Sequence, residues 1–155
     1  MGNLKAVIET NVVFAGLANP TDAALKILHS FFRRQFDWIN SQQKLDEYQG
    51  ALSLSQKVSP ASDRIFLHLL RKRSLIIHIT DSPKVCQNPD DDKFLETAVA
   101  GSADFLVTKN LKHFPRNSYQ GVRIVNVATF LKALEKSFST QASSRPPIWR
   151  SRRIG

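Results

Sequence analysis

Short apolar runs rich in β-branched residues alternate along this chain with segments in which apolar residues recur at helical spacing. That alternation limits the fold more than any other feature, because strand–helix–strand units lay their strands parallel and their helices on the sheet faces. Residues 4–8 read as a first strand buried at Val7 and Ile8, and residues 36–39 as a second. Residues 74–79, 104–108 and 122–125 read as a third, fourth and fifth strand. Between the first two strands, Thr21 or Asp22 after the Asn19-Pro20 break caps a helix whose inner face is Ala24, Ile27, Leu28 and Phe31. Arg33 and Arg34 close that helix. Further helices are expected over residues 42–56, from Ser59-Pro60 with Ile65, Phe66, Leu69 and Leu70 inward, over 91–101 and over 127–136. A short helical turn is expected near Leu111, and a loop through Ser82-Pro83 and Asn88-Pro89. The predicted architecture is one three-layer α/β domain over residues 1–138, with a largely parallel, five-stranded sheet. Residues 139–155, with Pro146-Pro147 and four arginines, read as a flexible basic tail.

The rest of the composition removes function classes. No apolar run approaches the roughly 18 residues of a membrane span, and the opening residues do not form a signal peptide, so a cytoplasmic protein is expected. Cys86 is the single cysteine. It excludes an internal disulfide or a cysteine-based zinc site and is read as a small, partly buried apolar residue. His29, His68, His78 and His113 have no ligand spacing. A formal charge of +9 favours an anionic partner, for which nucleic acid is the usual one. Arg33-Arg34 and Arg71-Lys72-Arg73 stand at helix C-termini, where they complement the helix dipole.

In such a topology the end of each strand and the start of the next helix face one crevice. Glu9-Thr10-Asn11, Asp46-Glu47, Asp90-Asp91-Asp92 and Thr108-Lys109-Asn110 all fall on that edge. Each has an ordinary reading: the Asp triplet caps a helix, Glu47 lies on a helix surface, Asn11 satisfies local backbone donors, and Lys109 is solvated or steers a phosphate. Several carboxylates in one cleft repel unless a cation or protons neutralise them. Oxygen ligands of this kind suit Mg²⁺ or Mn²⁺.

The same residues carry a resemblance. Residues 5–13 resemble the opening of PIN domains, where a hydrophobic strand ends in Asp-Thr-Asn. Asp46-Glu47-Tyr48 resembles the family's Glu-Tyr. Residues 89–110 resemble its central block, an Asp before an apolar helix, a Gly-x-Ala turn and a strand ending Leu-Val-Thr. Residues 121–131 resemble its last strand and helix. The resemblance implies a PIN-like fold and a metal-dependent endoribonuclease like the VapC toxins of bacterial toxin–antitoxin pairs. Its implied partners are RNA, a cognate antitoxin and a second copy of the chain. It also implies Glu9, Glu47 and Asp92 as ligands of Mg²⁺ or Mn²⁺, Asn110 in the fourth acidic position, and Asn11 and Thr108 in support. Asp92 is preferred by its spacing before Thr108, with Asp91 the second choice. Two departures, Glu9 for the usual Asp and Asn110 for an Asp, leave a second reading: a weakened PIN-like module that binds RNA or protein without cleavage. A phosphotransfer receiver also places acids at strand ends, but the Thr108-Lys109 pair meets its late-strand lysine only loosely.

Overall fold

In the computed structural model the described residues are 3–79, 89–114 and 116–143, with backbone alone for 89–91 and 138–143. The strands are β1 (Lys5–Ile8), β2 (Asp37–Ser41), β3 (Leu75–Ile77), β4 (Phe105–Val107), β5 (Ser118–Tyr119) and β6 (Val122–Val125). The helices are α1 (Thr10–Ala18), α2 (Ala24–Phe32), α3 (Gln42–Ser53), α4 (Pro60–Arg73), α5 (Pro89–Ala100) and α6 (Val127–Ser143), with a 3-10 turn over Leu111–His113. The sheet order is β3-β2-β1-β4-β6-β5, and every pairing is parallel except β5 with β6.

Helices lie on both faces of this sheet. Trp38 of β2 meets Phe31 of α2, Tyr48 of α3 and Phe66 of α4, while Phe130 of α6 meets Phe36 and Phe105. Alternation along β2 turns Ile39 and Ser41 to the opposite face, where α5 passes. A Cβ on Gly101, just past α5, would lie 2.4 Å from Ile39 Cγ2, so only glycine permits this approach. Thr97 Oγ1 of α5 stands 3.4 Å from Ser41 Oγ.

Local chemistry accounts for most of the helix ends. Asp22 takes the Ala24 N–H at 2.9 Å and so starts α2, whose expected face is buried in full. Ser41 accepts from Lys44 N, and Ser59 from Ser62 N with Pro60 at the first helical position. Arg73 reaches the Phe32 carbonyl at the C-terminus of α2 at 3.0 Å, consistent with a dipole-complementing role for that basic cluster.

Several expectations need correction. α1 was not read as a helix, because Val12, Val13 and Phe14 favour extended chain; tertiary packing on α2 overrides that preference. The inner face of α4 is Phe66, Leu67 and Leu70, and Ile65 is exposed, since the run Ile65-Phe66-Leu67 offers more apolar residues than one helical stripe can bury. A sixth strand, β5, pairs antiparallel with β6 through the left-handed Gln120 and Gly121. Helix α6 runs on to Ser143. The loop over 80–88, with Cys86, and the basic tail from 144 onward lie outside the described residues.

Candidate functional site

Strand order reverses between β1 and β4, which are neighbours joined to opposite halves of the sheet. A crevice forms outside the carboxyl ends at such a point, because the flanking connections leave on opposite faces. Glu9 follows β1 there in extended conformation, its N–H bonded to Val107 O at 2.9 Å, and its backbone begins α1. Its side chain does not cap α1. The carboxylate is buried and crosses instead to Thr108, whose Oγ1 donates to Glu9 Oε2 at 2.8 Å. Asn11 Nδ2 lies 3.5 Å from the other oxygen. Thr108 Oγ1 also accepts the Asn110 N–H at 2.9 Å, so one hydroxyl fixes both the acid and the chain leaving β4. The Asn110 side chain is exposed and does not cap the turn that follows.

Glu47 comes to the same region by a different route. The sequence reading placed Asp46-Glu47 at the opening of its helix. The structure starts α3 at Gln42, because Ser41 is the cap, and Glu47 therefore sits in the second turn. Asp46 accepts from Gln42 Nε2 at 2.9 Å on an exposed part of the helix. Tyr48 is fully buried and donates its hydroxyl to Ile8 O, which ties α3 to the end of β1. Burial pushes the Tyr48 hydroxyl well above its ordinary range. The Trp38 indole pulls it down, and the charges of Glu47 and Glu9 push it up again. Asp92, in the first turn of α5, is buried at this edge. The side chain of Asp91 lies outside the described residues.

Lys44 is the residue that sequence reasoning missed. It is fully buried, its Nζ lies 2.7 Å from Glu47 Oε2, and it stands 3.2 Å from the centroid of the Phe94 ring on α5. The usable signal was phase: Lys44, Tyr48 and Leu52 share one stripe of α3, and all three are buried. Asn40, at the end of β2, was also missed. It is fully buried, and neither amide atom has a hydrogen-bond partner among the described residues; the same holds for Thr10 Oγ1. Lys109 does not reach into the crevice alone. It pairs with Asp22 at 2.7 Å, which with the Ala24 N–H holds the Asp22 carboxyl below its ordinary range.

Among the described residues, no three acids, histidines or cysteines are grouped closely enough to hold a metal ion. The donor type nonetheless fits a hard divalent cation, because the acids at this edge offer oxygen alone and orphaned polar atoms lie beside them. Glu9 and Asp92 would be the acids that hold it, with Glu47 joining when it leaves Lys44.

The sequence profile of the PIN domain family matches residues 5–112, from the first residue of β1 to the turn after β4. The chain belongs to the PIN domain family. This PIN domain is 26% identical over 148 residues to an uncharacterized protein of Methanocaldococcus jannaschii, covering 88% of this chain and 95% of the relative. Its fold is similar to that in the crystal structure of VapBC2 from Rickettsia felis bound to a promoter DNA fragment. There the TM-score is 0.50 and the identity 20%, covering 79% of this chain and 98% of the other. That likeness speaks for the fold alone. No helix among the described residues is long and apolar enough to cross a membrane.

Proposed function

We propose that this PIN domain is a metal-dependent endoribonuclease, the toxin component of a toxin–antitoxin pair, acting in the cytoplasm with Mg²⁺ or Mn²⁺. The observation that carries the reading is the Glu9 carboxylate at the β1–β4 switch point, buried and aimed by Thr108. PIN domains are generally nucleases, and the net charge of +9 favours a polyanionic substrate. The similar fold in VapBC2 supports an antitoxin partner. A second copy of the chain as partner is part of the same proposal.

The chain's own residues orient and neutralise. Thr108 and Asn11 keep Glu9 in one orientation, so little reorganisation is needed when charge develops nearby. The exposed Asn110 amide, two residues past Thr108, would donate to a phosphodiester oxygen. Glu47 and Asp92 complete the acidic set. No side chain is required as a covalent nucleophile. A bound divalent cation would offset charge on the scissile phosphate and lower the pKa of attacking water.

Purified protein should cleave RNA in Mg²⁺ or Mn²⁺ and stop in EDTA. Glu9→Gln and Asp92→Asn should each reduce the rate by at least about a hundredfold, the scale seen for loss of one essential electrostatic group. Unchanged cleavage in EDTA, or in both variants, contradicts the proposal. A second reading, a weakened module that binds RNA or protein without cutting, is favoured by the ion pair that engages Glu47. Glu9→Asp separates the two, since a large gain in cleavage marks the natural chain as attenuated.

A further inference from the structure

A buried ammonium among carboxylates needs an explanation. Burying an unpaired charge costs several kcal/mol, in round terms, so a fully enclosed lysine persists only where acids and ring faces replace water. Lys44 has both, in Glu47 at 2.7 Å and the face of Phe94 at 3.2 Å. The Phe94 contact fixes its place. The ring belongs to the early part of α5, so the ammonium bridges α3 and the opening turns of α5. Glu47 and Glu9 both bear on the Tyr48 hydroxyl. The cation therefore joins Glu47 to α5, while Tyr48, on the same stripe of α3, bonds the Ile8 carbonyl at the end of β1 next to Glu9.

We propose that Lys44 is a built-in counter-ion of the acidic site, holding Glu47 in the metal-free protein and competing with a divalent cation for it. Repulsion between acids that share a cleft needs an offsetting positive charge, and here the chain supplies one itself. A divalent ion on the same carboxylate would lie close to the ammonium and be repelled by it. Either the lysine withdraws from Glu47 or the ion binds without that ligand, and both weaken its binding. The inference rests on the reading that these acids bind metal.

The test is Mn²⁺ binding, followed by electron paramagnetic resonance, together with melting in EDTA and in Mn²⁺. Lys44→Gln and Lys44→Met remove the charge, and Lys44→Arg keeps it. The neutral variants should bind Mn²⁺ about tenfold tighter or more, equivalent to removing roughly 1.4 kcal/mol of repulsion. They should also melt lower in EDTA and recover with Mn²⁺, while Lys44→Arg stays near the natural protein. Neutral variants that bind Mn²⁺ no tighter, or that unfold in EDTA without rescue by Mn²⁺, overturn the proposal. Those results leave the metal-site reading standing if Glu9→Gln abolishes binding. If no protein binds Mn²⁺, or Glu9→Gln leaves binding unchanged, that reading fails and the inference fails with it.

Discussion

Thr108 carries more of the site than its size implies. It is buried, donates to Glu9 Oε2 at 2.8 Å and accepts from Asn110 N at 2.9 Å. Thr108→Val keeps the shape and strands both partners, which should cost about 1–3 kcal/mol and sharply reduce cleavage. Thr108→Ser should recover most of both, as read by urea unfolding and RNA cleavage. The Lys109–Asp22 pair is more exposed, with side chains 37% and 21% accessible, so screening limits it to about 1 kcal/mol at most. Because the folded Asp22 carboxyl is held below its unfolded value, the pair's contribution is present at neutral pH. It is lost as pH falls through the folded value. The natural protein should therefore lose more stability than Lys109→Met between pH 7 and pH 2, measured by urea unfolding; equal losses would contradict this. Glu9, Asn11, Thr108 and Asn110 were legible because strand ends and helix starts are marked by local pattern. Lys44 was not, since one lysine in a polar helix looks like a surface residue until the phase of Tyr48 and Leu52 is known. Asn40 was hidden because nothing local distinguishes a buried amide from an exposed one.

At the level of elements, α5 must pass closely over β2 if Asp92 is to reach the acidic edge. Gly101, just past the end of α5, is one point of close approach, where an added Cβ would lie 2.4 Å from Ile39 Cγ2. Gly101→Ala drives a methyl into Ile39, and Ile39 is packed on all sides, so the helix or the strand must give. The expected loss is about 1–3 kcal/mol in urea unfolding, with weakened Mn²⁺ binding as α5 shifts. A fully stable variant would show that the helix can slide without cost. Elements with strong periodicity were legible, as the buried face of α2 demonstrates. α1 was not, because the β-branched Val12 and Val13 are weak helix formers and the segment has no clear amphipathic stripe; Gly16 packs tightly against α2. β5 is two residues long, too short to carry any alternation.

For the whole molecule, the parallel pairing of β3, β2, β1, β4 and β6 follows from the strand–helix alternation, and the crevice follows from the reversal between β1 and β4. Residues far apart in sequence meet there because topology, and not local spacing, places them. What the alternation did not contain was how the acids are balanced once assembled. The Lys44–Glu47 pair is local in sequence, but the enclosure of Lys44 under the Phe94 ring is a property of packing. Everything proposed for this edge depends on a divalent cation binding at Glu9. Anomalous diffraction from a crystal soaked in Mn²⁺ tests it most directly. The predicted result is a peak within coordination distance of the Glu9 carboxylate, about 2.0–2.2 Å from an oxygen, with Asp92 or Asp91 on its other side. Strong Mn²⁺ peaks elsewhere, with Glu9 still bonded to Thr108 and no density beside it, would contradict it.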